Sequence, residues 1–202
     1  MSFLRTLFGP SKEEIWRQFC AETGGNYISG GFWNGDKVEA RHGEWCVTLD
    51  TYTVSTGKSS TTYTRMRAPY VNPDGFTFTV YRKGIFSDIG KWLGMQDVTV
   101  GYPEFDEAFI IKGNDEAKLQ KLFSNQTIRD LISTQPAIHF AVANPSHLFW
   151  NTNDSQPGGD ELYFHVVGVI KDVERLKMLY ELFSATLDEL CRMGSAYENP
   201  PA

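Results

Sequence analysis

Two histidines form the one local arrangement in this sequence that could do chemistry. If the runs Ala137 to Ala143 and Glu161 to Val169 pair as antiparallel strands about a centre near Thr152, His139 and His165 stand opposite each other. The same register sets Ile138, Phe140 and Val142 against Val166, Phe164 and Leu162, all on the other face of the ribbon. Facing imidazoles can hold a ligand or metal, or titrate together near neutrality. Two histidines without a carboxylate or thiolate fall short of a dedicated metal set. His139 and His165 are therefore a candidate ligand-binding pair whose plain alternative is a cross-strand contact; no metal and no cofactor is expected.

Other arrangements fail on geometry. Along Glu44 to Asp50 a strand alternation puts Trp45, Val47 and Leu49 on one face and Cys46, Thr48 and Asp50 on the other, with His42 extending the second. Residues four apart on a strand stand about 13 Å apart, far beyond the contact of a nucleophile with its base, so His42 and Cys46 are not a dyad. Ser55-Thr56-Gly57-Lys58-Ser59-Ser60 resembles the end of a phosphate-binding loop, but Tyr52 stands where the first glycine belongs and the flanks read as two strands. A hairpin turn is the better reading. The acids of Phe105-Asp106-Glu107 read as water-facing, and His147 lies in a loop beside Leu148, Phe149 and Trp150. Such an aromatic loop can dock a partner or fold back over the core edge.

The elements that must position these groups are an α+β set. Ser11 and Glu14 make a capping box ahead of Ile15, Trp16, Phe19 and Cys20, and Gly24-Gly25 ends that helix. The first half then becomes β-rich: Tyr27 to Trp33, Lys37 to His42, Glu44 to Val54, Thr61 to Arg67 and Phe76 to Lys83 read as an antiparallel meander. A short helix is expected at Ser87 to Leu93 and strands at Asp97 to Val100 and Ala108 to Lys112. Two helices follow, Asp115 to Phe123 and one capped near Thr127 that stops before Pro136. The second half closes with the paired strands and a long amphipathic helix on the stripe Val173, Leu176, Leu179, Tyr180, Phe183, Leu187 and Leu190, packed on a sheet.

No composition break marks a linker, so residues 1–194 are expected to form a single α+β domain, with lobes 1–101 and 102–194 as the alternative and 195–202 as a disordered tail. A net charge of -6 disfavours nucleic acid as a partner. Arg65, Arg67, Arg82 and Lys83 read as a solvated sheet face. Three cysteines without a CxxC spacing fit neither a disulfide framework nor zinc, which points to a reducing compartment and a cytoplasmic, soluble protein. Cys20 and Cys191 read as small core residues. No segment has the roughly 20 apolar residues of a membrane span. Phe3, Leu4, Leu7 and Phe8 nevertheless share one helical face that could dock on a membrane surface or a partner; with one basic residue nearby, packing on the domain itself is the favoured reading.

The stretch Glu104-Phe105-Asp106-Glu107-Ala108-Phe109-Ile110-Ile111-Lys112-Gly113-Asn114-Asp115, with Lys118, Leu122 and Phe123, resembles a pattern in the bacterial proteins named domain of unknown function 3137. There a phenylalanine-flanked acidic pair enters a strand and a helix follows, then two strands, here Ile138 to Val142 and Leu162 to Val167, and a closing helix, here Asp172 to Met193. The resemblance covers about the last hundred residues, and it implies a bacterial origin and a shared core with Phe105 and Phe109 on one strand face. It implies no activity, and many family members carry membrane spans that this chain lacks. The expectation is a non-enzymatic intracellular binding or scaffold domain with an unidentified protein or small ligand. Alternatives are an enzyme with a site assembled from distant residues such as His42, His147 or Asp50, and a peripheral membrane or partner-docking protein. A homo-oligomer is left open.

Overall fold

The computed structural model describes residues 9–31, 35–84, 96–143 and 160–197. The first helix among the described residues, α1 (Lys12–Thr23), begins at the capping box, where the Glu14 amide donates to the Ser11 hydroxyl and the Ser11 amide to the Glu14 carboxylate. It ends at Gly24, whose φ of 71° is a left-handed conformation that costs glycine nothing. Strands β1 (Asn26–Ile28), β2 (Lys37–His42), β3 (Trp45–Ser55) and β4 (Ser60–Tyr70) follow as a meander. The β3–β4 turn closes with the Thr56 amide donating to the Ser59 carbonyl and Gly57 at φ 67°, so the phosphate-loop lookalike is a hairpin turn.

The expected meander does not extend to the fifth strand. β5 (Phe78–Arg82) leaves β4 and lies between β8 (His139–Ala143) and β7 (Phe109–Gly113), while β9 (Asp160–Val167) takes the place beside β4. With β6 (Gln96–Asp97) at the far edge, the order is β1-β2-β3-β4-β9-β8-β5-β7-β6, every pair antiparallel. One sheet thus joins strands from both halves of the chain.

The remaining described helices are α2 (Pro103–Ala108), α3 (Glu116–Ser124), α4 (Gln126–Ser133) and α5 (Val173–Arg192). α2 stands where the sequence suggests a strand entry. Pro103 at its start has no amide to leave unbonded, and the Asp106 carboxylate accepts from the amides of Val100, Gly101 and Tyr102 at 2.9 to 3.1 Å. Phe105 and Phe109 therefore lie on a helix and a strand, though their rings still meet at 4.8 Å. Asn125, not Thr127, is the cap residue of α4. Ser195 and Ala196, expected in a disordered tail, are buried, and Tyr197 bridges to Val71.

One face of the sheet carries the helices. Leu49, Met66, Phe164, Phe140, Val80 and Ile111 from successive strands join one apolar core with Trp16 and Phe19 of α1, Leu122 and Phe123 of α3, and the α5 stripe Leu176, Leu179, Phe183, Leu187 and Leu190. Phe140 meets Phe183 edge-on at 5.6 Å, and Phe78 meets Phe123 at 6.0 Å, which docks α5 and α3 on the central strands. Cys191 is exposed, because it falls one position past the buried stripe. No helix among the described residues is long and apolar enough to cross a membrane.

Candidate functional site

The two histidines meet as the register arithmetic requires. His139 and His165 are Cα partners between β8 and β9, and their ring centroids lie 4.7 Å apart. Strand alternation turns both away from the helices, onto the far face of the sheet. There they belong to one transverse row: Asp50 pairs with Arg65, Arg65 with His165, His165 with His139, and His139 with Tyr81, across β3, β4, β9, β8 and β5. In the neighbouring row Arg67 stands opposite Tyr163, Tyr163 opposite Ala141, and Ala141 opposite Thr79. Beside the small Ala141, the Tyr163 and His139 rings meet edge-on with centroids 6.0 Å apart.

The middle of this far face is buried, and it opens toward Val54 and Val167. His139 is 6% exposed, Arg65 5%, Glu161 6%, and Tyr163 and Thr79 not at all. Arg65 and Arg67, read from sequence as solvated, are thus interior charges, which persist only when paired. Arg65 grips Asp50 with two bonds, Nε to Oδ1 at 2.8 Å and Nη2 to Oδ2 at 2.7 Å, in the forked geometry that makes arginine the strongest carboxylate partner. Arg67 reaches Asp50 Oδ2 at 3.4 Å and Glu161 at 4.0 Å. Burial works against the Arg65 charge, but Asp50 outweighs it and raises the guanidinium's pKa. Burial also raises the Glu161 carboxyl, opposed by Arg67 and Arg65.

A hydrogen-bonded chain runs from this charged end through the imidazoles. His165 Nδ1 is 2.8 Å from the Tyr52 hydroxyl and 2.5 Å from that of Tyr163. His165 Nε2 is 3.0 Å from His139 Nδ1, and His139 Nε2 is 3.0 Å from Thr79 Oγ1. Both rings can be neutral in either of two senses: one tyrosine hydroxyl donates to the single lone pair of His165 Nδ1 and the ring protons point toward Thr79, or Thr79 donates and the ring protons point back to the tyrosine oxygens. Burial pushes the His139 imidazole down to about 4. It pushes His165 down as well, aided by His139 and by the Arg65 charge. The same burial holds the Tyr52 and Tyr163 phenols well above the ordinary tyrosine range.

The arrangement can transmit a proton, but the nitrogen lone pairs that would bind a metal are committed to these bonds. Among the described residues no group of three or more histidine, cysteine, aspartate or glutamate side chains could hold a metal ion. Of the other sequence candidates Asp50 joins the row, at its charged end, and His42 and Cys46 do not. His42 lies against α5, with Nε2 2.8 Å from Asp188 Oδ1, instead of extending the Cys46 face. Cys46 pairs across the β2–β3 ribbon with Arg41, and Asp50 is engaged by Arg65. Phe3, Leu4, Leu7, Phe8, His147 and Trp150 lie outside the described residues.

Sequence reasoning missed Arg65, Tyr52, Tyr163 and Thr79. The first two were within reach, because a hairpin turning at Thr56 to Ser59 places Asp50 opposite Arg65 and Tyr52 opposite Tyr63. Thr79 was not, since nothing local reports that β5 inserts beside β8.

An open cleft of about 610 Å³ lies elsewhere, between α2, α4 and the ends of β5 and β7. Alternation along β5 puts Arg82 on the helix side with Phe78 and Val80, so cleft and imidazole row belong to opposite faces. The half-buried Arg82 and Arg129 line it with Phe105, Phe109 and Tyr102, and the exposed Glu104 and Asp130 stand at its mouth. Arg82 lies 4.7 Å from the centroid of the Phe109 ring and Arg129 3.5 Å from that of Tyr102. The histidines and tyrosines of the far-face row do not line the cleft.

No protein-family model matches the chain, so the resemblance to domain of unknown function 3137 is neither supported nor contradicted, and no curated protein matches it in sequence. Among solved structures the chain is similar to the mycobacterial trehalose monomycolate transport factor A, TtfA, over 95% of this chain and 97% of that one, with 9% identity and a TM-score of 0.49. A likeness of that strength carries no functional assignment.

Proposed function

We propose that this protein is a non-enzymatic binding domain that takes a small ligand in the cleft between α2 and α4, on a sheet fastened by the His139–His165 row. The observation that carries this reading is a separation. The His139 and His165 imidazoles and the Tyr52 and Tyr163 phenols lie together on the far face, bonded to one another, whereas the open cavity on the helix side holds no histidine or cysteine. Catalysis by general acid, base or nucleophile requires reactive groups and substrate space in one place. Binding requires only a concave surface with a few oriented polar groups, which the cleft supplies.

Native mass spectrometry of the protein taken from its source tests the reading. The expected result is a retained small molecule that fresh protein leaves chemically unchanged. Conversion of that molecule contradicts the non-enzymatic part, and a bare chain throughout contradicts the binding part.

A further inference from the structure

We infer that the cleft recognises an oxyanion, a carboxylate or phosphate monoester on a small organic body, held by Arg82 and Arg129; this rests on the reading of the cleft as the binding site. The support is the state of these two guanidiniums in an open cleft. Buried Arg65 is matched by the Asp50 carboxylate, and Arg175, held by the neutral oxygens of Gln135 and Ala137, does not line the cleft. Arg82 and Arg129 are half-buried, yet neither forms a salt bridge among the described residues. Arg82 donates from Nε and Nη2 to the Gln135 carbonyl at 3.3 and 3.0 Å, and from Nη2 to the Ser133 carbonyl at 2.9 Å. Arg129 donates from Nη1 to the Phe123 carbonyl. Main-chain carbonyls fix the position of a guanidinium but do not cancel its charge.

Donors are also left over. Among the described residues the Arg82 Nη1 group and the Arg129 Nε and Nη2 groups have no partner. Stacking on Phe109 and Tyr102 restricts both side chains, so little rotamer freedom remains to be lost on binding. Planar, restrained guanidinium groups with free N–H donors suit two-pronged recognition of a carboxylate or phosphate. Phe105 and Phe109 supply apolar wall for the body of the ligand. Glu104 and Asp130 act against an anion, but both are exposed at the mouth, where water and salt screen them more than the half-buried cations.

Isothermal titration calorimetry on the full chain at low ionic strength tests this with three probes, phenyl phosphate, benzoate and the neutral benzyl alcohol. Both anions are expected to bind with an affinity that falls as salt is added, and benzyl alcohol to bind much more weakly. Arg129→Gln should weaken the anions by about tenfold or more, the loss of a charge-assisted hydrogen bond. Because that side chain also supports the Phe123 carbonyl, the independent variant is Glu104→Gln with Asp130→Asn, which disturbs no described ion pair and should tighten anion binding. Equal affinity for benzyl alcohol, no change on Arg129→Gln in a folded variant, or no tightening in the double variant overturns the inference. Failure of both anions overturns it as well; the binding reading falls with it only if the native mass spectrum also shows a bare chain.

Discussion

Over the middle of the sheet both faces of the central strands are buried, and they are held by opposite means. Toward the helices, Leu162, Phe164, Phe140 and Val142 fill space with hydrocarbon. On the far side the alternate residues of the same strands, Glu161, Tyr163, His165 and His139, are linked by hydrogen bonds and to the Asp50, Arg65 and Arg67 charges. Apolar packing is non-directional and tolerates an exchange that keeps volume; a buried charged network depends on every partner being present. The difference teaches where the molecule is tolerant and where it is brittle.

The largest expected effect follows from removing a single partner. Asp50→Ala leaves Arg65 without its forked carboxylate and should cost about 3–5 kcal/mol in urea unfolding. Asp50→Leu combined with Arg65→Met, which removes both charges, should cost less than Asp50→Ala alone. If the pair replacement costs more, the far face is not held by matched charges.

Acid provides the next test. Both imidazoles are depressed in the folded protein, His139 to about 4, against an ordinary value of about 6.5 when unfolded. Below that value the unfolded chain binds protons that the folded one refuses. Stability from these groups is therefore full above about pH 6.5 and declines as pH falls toward 4, by up to about 1.4 kcal/mol per pH unit for each proton. His139→Gln should flatten that slope; an unchanged slope assigns it to other groups. On the apolar face, Leu162→Met should cost less than about 1.5 kcal/mol and leave the pH profile alone. Tyr163→Phe, which removes one of the two hydroxyls at His165 Nδ1, should cost about 1 kcal/mol. A thiol reagent gives the smallest perturbation: exposed Cys191 should react at once and buried Cys20 only on unfolding.

How far sequence reads into this fold depends on how local each signal is. The α1 capping box, the α5 stripe and the β8–β9 register rest on neighbouring residues or on a single centre of symmetry, and the structure has all three. The far face was misread because alternation of apolar and polar residues along β3, β4 and β9 is also the pattern of a half-exposed sheet. Only Asp50 opposite Arg65 signalled that the polar side is interior. The place of β5 between β7 and β8, and with it the Thr79 contact, depends on strands distant in sequence, as does the meeting of Arg82 with Arg129. The short α2 lacks the length for helical periodicity to appear, so Phe105 and Phe109 were assigned to one strand.

The central claim is that His139 and His165 form a neutral, hydrogen-bonded pair inside the sheet. Histidine-selective ¹⁵N NMR spectra recorded between about pH 7.5 and pH 4.5 test it directly, since the ring nitrogens report protonation and tautomer. The account predicts two imidazoles that stay neutral across that range, each with one protonated and one accepting nitrogen, and with the accepting nitrogens alike in position along the chain. With the resonances assigned through His139→Gln and His165→Gln variants, titration of these two rings near 6.5 with free exchange between tautomers contradicts it.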